Sequence, residues 1–371
     1  FILMGEILFQ SRLSRSLFAG LAPWAGLLPG RLLHVNVVGC SIFAAISGSS
    51  AATTQVVGRI ALAELLKRGY SKDIAIGSLA GAGTLGFLIP PSNIMIIYGV
   101  LGDVSVLKLF TAGFIPGALL AGCFMAWVMI HTTIRREFVP DSERALSAIS
   151  LVNRFRALKE LLPAIFLIVA VLGSMYGGIA TPSESAAVGV LGALIVAALQ
   201  GGLTLKAMRD IAMGAVMTCS MIAMILLGAS ILGSSAAFLG IPRAIADFVA
   251  AMGLSPFMLI LALIVFYLIL GCFLDGFSMI VMTLPIVLPI VKQAGFDPVW
   301  FGIFLVLVVE MAQITPPVGF NLFVIQGLTG DGLGYIAKVT LPYLVIMVLF
   351  TMVITVFPQI ALFLPNLLAG R

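Results

Sequence analysis

Charge is what this sequence has least of. Asp, Glu, Lys and Arg together make up 9% of its 371 residues, against roughly a quarter in soluble domains, so the chain cannot build an ordinary water-facing surface. Histidine is nearly absent, with His34 and His131 both close to segment ends, where they read as interface residues. Cysteine is scarce: Cys40, Cys123, Cys219 and Cys272 each stand alone in an apolar run. That spacing excludes a disulfide framework or a zinc or iron cluster and leaves them as small apolar packers. A basic stripe interleaved with aromatics is also missing. The net charge of +5 comes from residues scattered at segment ends, which argues against a nucleic-acid partner and makes them orientation signals. What is present is 61% hydrophobic residues and a mean hydropathy of +1.21. The chain reads as an all-α polytopic protein of the lipid bilayer.

The chain opens at Phe1 inside an apolar segment, which reads as the end of a span with further sequence before it, closed by Arg12 and Arg15. Trp24 follows in a connector punctuated by Pro and Gly up to Arg31. Residues 32–66 are then predominantly apolar, with Ser47-Gly48-Ser49-Ser50 as the four-residue polar break at their middle. Each arm of about 15 residues would be about 22 Å long as a helix, enough to reach mid-bilayer but short of the ~30 Å core. Arg31, Arg59, Lys67, Arg68 and Lys72 bracket the pair, so both outer ends favour the cytoplasm. A re-entrant hairpin with its tip at 47–50 is the economical reading; a continuous helix kinked at Gly48 is the other. At about 13 Å from the tip, Arg59 suits snorkelling more than solute binding.

Residues 73–101 form one span interrupted by Gly86-Phe87-Leu88-Ile89-Pro90-Pro91-Ser92-Asn93. Proline has no N–H, so Pro90 and Pro91 release the carbonyls of Gly86 and Phe87. Such a break survives in hydrocarbon only inside protein or beside a polar cavity. A span to Met129 follows, then the one long polar stretch, 131–160. Arg135, Arg136, Arg144, Arg154, Arg156 and Lys159 outnumber Glu137, Asp141, Glu143 and Glu160 there, placing it in the cytoplasm. Its 154–162 end fits an amphipathic surface helix or a plain loop. Spans at 161–179, 185–200 and 211–235 come next, with Thr181, Ser183 and Glu184 as an outer-loop cap, and 241–252 at the outer interface with Arg243 and Asp247. The first pattern then recurs: an arm at 255–274, Asp275-Gly276, an arm at 277–291, and a span from Val299 broken at Gln313-Ile314-Thr315-Pro316-Pro317-Val318-Gly319. The last span is about 335–357.

An offset of 226 sets Ser49-Ser50 on Asp275-Gly276, Gly69-Tyr70 on Gly295-Phe296, Pro90-Pro91 on Pro316-Pro317 and Pro116 on Pro342. With 18 prolines in the chain, three matches at one offset indicate an internal repeat. Five crossings lie between the two hairpins, and an odd number inverts the second copy. Inverted repeats with paired broken helices mark secondary transporters, whose site lies at the repeat interface near the midplane. Ser49 or Ser50 would cap the helix after the first tip, and Pro91 and Pro317 suit first-turn positions of the second half-helices. These N-termini favour an anion. The opposing C-terminal ends, around 45–47, 86–89 and 312–315, offer carbonyls to a small cation such as Na⁺. Asp275 is the strongest charged candidate, and a capping aspartate is its plainer role. Glu310, beside the second break, suits a proton carrier or a contact with a neighbouring subunit.

The motifs Ser47-Gly-Ser-Ser-Ala51, Gly86-Phe-Leu-Ile-Pro-Pro-Ser92, Ala180-Thr-Pro-Ser-Glu184 and Ile314-Thr-Pro-Pro-Val-Gly-Phe-Asn-Leu-Phe323 resemble the large membrane subunit of tripartite ATP-independent periplasmic (TRAP) transporters, over essentially the whole chain. The resemblance implies sodium-coupled import of an organic acid, such as a C4-dicarboxylate, sialic acid or a similar carboxylate, across a bacterial inner membrane by an elevator motion. It implies two partners, a small four-helix membrane subunit and a periplasmic substrate-binding protein, no organic cofactor and no enzymatic activity. On this reading 31–104 and 253–332 are the two halves of a transport domain, while 1–30, 105–252 and 333–371 are scaffold, and more scaffold sequence is expected before Phe1. Solute contacts would fall on Ser47, Gly48, Ser49, Ser50, Ser92, Asn93, Pro317 and Gly319. Sodium ligands would come from Ser47, Ser50, Gly86, Phe87, Pro90, Asp275, Gly276, Ala312, Gln313 and Thr315. Three readings compete: proton coupling on the same fold, through Glu310; an intramembrane hydrolase using a tip serine, which lacks a base at that depth; and a passive channel, which lacks a ring of like charges or a carbonyl filter.

Overall fold

The computed structural model describes residues 1–11, 13–140, 151–200, 203–241, 244, 245, 247, 253 and 255–369. The readings of Arg12, Asp141, Glu143, Arg144 and Arg243, and most of the 241–252 segment, lie outside the described residues. Among those described, all regular structure is helical. Helix α1 (Ile2–Gln10) leads to α2 (Leu13–Ala25), which occupies most of the stretch read as a connector. Pro23 does not end α2, because packing against α3 (Leu33–Ser47) holds the segment helical where local propensity would not.

The first hairpin is α3 followed by α4 (Ser50–Lys67). Gly48 stops α3 by turning left-handed (φ +59°) while its N–H returns to Ala44 O, a conformation that a glycine adopts without Cβ strain. Ser49 is the N-cap of α4, its Oγ accepting from Ala52 N–H. Two helices with a cap between them replace the kinked-helix alternative. The first broken span runs as α5 (Lys72–Gly83), a single turn α6 (Leu85–Leu88) and α7 (Asn93–Gly102). Ser92, not a proline, caps α7, its Oγ accepting from Met95 N–H. Pro91 therefore sits before the cap and not in the first turn, because the hydroxyl that can satisfy a free amide defines where the helix begins. Helix α8 (Val106–Ile134) contains Pro116. The long polar stretch ends in α9 (Leu151–Ala157) packed against α2, with Trp24 Nε1–H donating to Arg154 O at 3.1 Å, so the helical reading of that segment holds.

Helices α10 (Leu162–Tyr176), α11 (Pro182–Leu199) and α12 (Leu205–Phe238) complete the middle of the chain. Thr181 and Glu184 form a full capping box at the start of α11, with Glu184 Oε2 accepting from Thr181 N–H at 2.7 Å. The second hairpin is α13 (Pro256–Leu270) and α14 (Gly276–Gln293), whose arms meet through Tyr267 Oη and Thr283 Oγ1 at 2.6 Å. The second broken span is α15 (Pro298–Gln313) and α16 (Phe320–Thr329). Here Gly319 is the N-cap, so Pro317 also lies before the helix and not in its first turn. Helix α17 (Leu333–Val356) follows, and the residues read as a tail form α18 (Gln359–Ala369) on α8. His34 is 2% exposed and donates Nε2–H to Pro29 O, which corrects its reading as an interface residue; a segment end here is packed under α8.

Two observations establish the inverted repeat. The offset of 226 carries Ser50 and Lys67, the ends of α4, onto Gly276 and Gln293, the ends of α14. It also superimposes the left-handed turns at Gly69 (φ +86°) and Gly295 (φ +88°). The two broken spans then run in opposite directions. Lys72 at the start of α5 pairs with Asp331 just past α16 at 2.7 Å, whereas Tyr98 near the end of α7 donates to Pro298 O at the start of α15. Among the described residues, five helical segments long and apolar enough to cross a bilayer separate the hairpins, from 72–102 to 205–238, the odd number that inversion needs. Helix α15, apolar around its circumference apart from Glu310 and Gln313, is buried at the centre, as such a helix must be. Helix α12 leaves Met213, Met217, Met224 and Ile231 on an open face suited to lipid.

Candidate functional site

Both hairpin tips and both breaks converge on one cavity of about 360 Å³. From the first repeat it is lined by Ser47, Ser49, Gln55, Phe87 and Asn93; from the second by Asp275, Gly276, Phe277, Gln313 and Phe320. The remaining wall includes Glu6 and Phe9 of α1, and Thr218 and Met221 of α12. The ring of Phe87 meets that of Phe277 edge-on at 5.7 Å, so the first break touches the second hairpin just past its tip.

The first tip is held by its own polar groups. Thr53 donates its hydroxyl to Ser49 O (2.7 Å), which leaves Ser47 Oγ as the donor in its 3.0 Å contact with Thr53 Oγ1. Gly48 O accepts from Asn93 N–H (3.3 Å), tying tip to break, and a Cβ on Gly48 would fall 2.8 Å from Pro91 O. Gly86 is buried against the same tip: a Cβ there would lie 2.6 Å from Ser50 N, so only glycine admits this backbone-on-backbone approach. Pro90 packs behind the break against Gly113 of α8. Ser92 is fully buried as the α7 cap. Ser50 turns away from the cavity, its Oγ within 2.7 Å of Glu310 Oε2 and 2.8 Å of Gly83 O.

At the second tip Asp275 is the N-cap of α14. Its Oδ2 accepts from Phe277 N–H (3.0 Å) and Ser278 N–H (3.4 Å), while the Ser278 hydroxyl donates to Oδ1. The carboxylate thus both caps a helix and lines the cavity. Gly276 packs on Gln313, whose amide also faces the cavity. Ala312 O already accepts from Thr315 N–H, and the Thr315 hydroxyl donates to Met311 O. Pro317 is exposed away from the cavity and Gly319 lies buried in a left-handed turn (φ +46°). Arg59 lies outside the cavity with its guanidinium over the Phe9 ring at 5.6 Å.

The site was wider than the sequence disclosed. Glu6, a carboxylate inside an otherwise apolar first segment, was the available signal for the α1 wall, whereas Thr218 and Met221 carry none. Among the lining residues there are two carboxylates, Glu6 and Asp275, and no Lys, Arg or His. The wall offers an anion amides, hydroxyls and helix N-termini, but no basic side chain to balance its charge. The donor set fits a small hard cation: hydroxyls of Ser47 and Ser49, the Asp275 carboxylate and, at Phe87, a carbonyl that Pro91 cannot engage. Among the described residues no cluster of three or more His, Cys, Asp or Glu exists to hold a transition metal.

A family model described as the DctM component of tripartite ATP-independent periplasmic transporters matches residues 1–360. The C4-dicarboxylate TRAP transporter large permease protein DctM of Pseudomonas aeruginosa is 35% identical over 99% of this chain and 84% of its own length. The sialic acid large permease SiaM of Vibrio cholerae is 29% identical over 100% of this chain and 86% of its own length. The isethionate permease DctMQ of Oleidesulfovibrio alaskensis is 33% identical, with 98% of this chain matching 56% of that protein. Among solved structures, the Alcanivorax borkumensis YdaH transporter aligns with a TM-score of 0.53 at 16% identity, over 95% of this chain and 82% of that one, a likeness of fold.

Proposed function

The chain belongs to the DctM-component family of tripartite ATP-independent periplasmic transporters, and from that premise we propose that it imports an organic acid in symport with sodium ions. It is a large permease, a multi-pass membrane protein and not an enzyme. The observation that carries the sodium reading is the cavity with two carboxylates and no basic side chain among its lining residues. A carboxylate solute is drawn to the helix N-termini, and Na⁺ at the freed carbonyls and Asp275 offsets the repulsion from the acidic wall. A C4-dicarboxylate is the first solute to try, because the 35%-identical relative carries that name; sialic acid and isethionate follow.

The chain works in the bacterial inner membrane with a small membrane subunit and a periplasmic binding protein that delivers the solute. The two hairpin-and-break units, 31–104 and 253–332, move as one body against α1, α2 and α10–α12. Packing argues for adding α8 and α17 to the moving body: a Cβ on Gly113 would fall 2.7 Å from Leu88 O, and one on Gly81 2.6 Å from Tyr343 Cγ, interlocks too close to slide.

The test is uptake by proteoliposomes that contain both membrane subunits and receive solute-loaded binding protein. Uptake should require an inward sodium gradient. Uptake at equal rate with K⁺ or choline in place of Na⁺ rejects sodium coupling and turns attention to protons.

A further inference from the structure

The central cavity has a neighbour. A second cavity of about 470 Å³ is lined from α1 by Phe9 and Gln10, from α2 by Arg15 and from α4 by Val56, Arg59 and Ile60. Phe9 belongs to both walls. The two cavities follow one another along a single seam: Glu6 and Phe9 of α1 with Ala52 and Gln55 of α4 line the first, and the next residues of the same two helices line the second. On α1, one aromatic ring stands between them.

Their charges are opposite. Among the described lining residues the central cavity has Glu6 and Asp275 and no basic side chain, whereas the second has Arg15 and Arg59 and no acidic one. Glu6 is seated in place, its carboxyl lying against Gly214 of α12, where a Cβ would fall 2.7 Å from Oε2. On the other side of Phe9 the Arg59 guanidinium rests over the ring at 5.6 Å. Among the described residues neither Arg59 nor Arg15 has an ion pair, and Glu64, further along α4, is already paired with Arg68 at 2.7 Å. Two guanidinium groups with their donors uncommitted thus line a space that no described carboxylate fills. An orientation signal needs only positive charge at a segment end; it does not need two arginines in a chamber that shares a wall with the solute cavity.

We propose that this chamber is a second carboxylate-binding site, which takes the solute as it leaves the central cavity past Phe9. The role in release rests on the import function proposed above; the binding of a carboxylate does not. A carboxylate that passes the ring exchanges an acidic wall for one that offers bidentate, charge-assisted hydrogen bonds. Arg59 then exchanges the face of Phe9 for a partner of full negative charge, and the ring that bars the way loses the cation held over it. The excess of basic residues at this end of α4, with Lys67 and Arg68 beyond Arg59, puts the chamber on the cytoplasmic side, where an imported solute is released.

The test uses the complex with the small subunit in a background with Cys40, Cys123, Cys219 and Cys272 replaced. Ile60→Cys places a thiol in the chamber and Gln55→Cys one in the central cavity. The ratio of labelling rates for an anionic over a cationic methanethiosulfonate should be more than about tenfold higher for Ile60→Cys than for Gln55→Cys. Succinate at about 10 mM should slow labelling of Ile60→Cys more than about threefold relative to potassium chloride of equal ionic strength. Arg15→Gln with Arg59→Gln should abolish both effects, and Arg15→Lys with Arg59→Lys should keep the charge preference. In proteoliposomes the Gln pair should lower succinate uptake more than about tenfold at an unchanged sodium concentration for half-maximal rate. Equal charge preference at the two positions, or no protection by succinate beyond that of chloride, overturns the site, whether or not import is coupled to sodium. Uptake unchanged in the Gln pair overturns the role in release. Charge preference and protection are read with both arginines in place, so a Gln pair that fails to fold leaves those two tests standing.

Discussion

Asp275 can be separated into its two roles by two substitutions. Asn caps a helix about as well as Asp, whereas Ala removes the cap at a cost of about 1 kcal/mol. If the carboxylate only caps α14, Asp275→Asn is silent and Asp275→Ala lowers thermal stability. With a cation at the tip, Asp275→Asn keeps the melting temperature but raises the sodium concentration for half-maximal uptake by about tenfold, the loss of one charged ligand. A melting curve and a sodium titration of uptake on both variants give the answer. The aspartate was legible in the sequence because it interrupts an apolar arm at the position where the repeat places Ser49. Ser50 was legible only as a polar residue: it faces Glu310, 260 positions away, and no local pattern announces which of two adjacent serines caps and which turns inward. Glu6 was hidden for a related reason, since its meaning depends on α12 and the second tip arriving opposite it.

At the scale of elements, turn chemistry made the hairpins readable and packing made the rest obscure. Ser49 and Asp275, one repeat offset apart, mark where α4 and α14 begin, and the structure starts and ends both helices in the same register. The stretches that became α2 and α18 have prolines inside them, so local signals favoured a connector and a tail, and only contact with α3, α9 and α8 makes them helical. The opposed broken spans are joined by the Lys72–Asp331 pair, side chains 43% and 20% exposed. The Lys72 ammonium holds the Asp331 carboxyl below the usual carboxylate range. A depressed carboxylate contributes stability above its unfolded pKa of about 4 and loses it as pH falls through the folded value. Lys72→Met should therefore destabilise the protein slightly at pH 7, by less than about 1 kcal/mol for a pair this open to solvent, seen as a small fall in melting temperature. Melting curves of the two proteins should converge once the pH falls below the depressed Asp331 value, and in about 1 M salt at neutral pH. A difference that persists in acid would assign the effect to lost packing of the lysine stem.

For the whole molecule the question is which surfaces slide. An elevator needs α14 of the second hairpin to leave its seat on α12, and that seat is tightly defined: a Cβ built on Gly233 would lie 3.9 Å from Pro285 Cβ. Disulfides form at Cβ separations of about 3.5–4.5 Å. In a background with Cys40, Cys123, Cys219 and Cys272 replaced, Gly233→Cys with Pro285→Cys should therefore crosslink under mild oxidation, visible as a thiol-dependent mobility shift. Uptake should stop in the oxidised protein and return on reduction, with each single variant active. If only the hairpin tips opened and closed around a stationary α14, the bond would form equally well and uptake would continue, because Pro285 lies on the arm and not at the tip. The inverted repeat gives this outcome its weight. The same fold read in the opposite direction places α4 where α14 stands, so a body that moves as a unit must release both arms, and a single covalent tie on one of them arrests both.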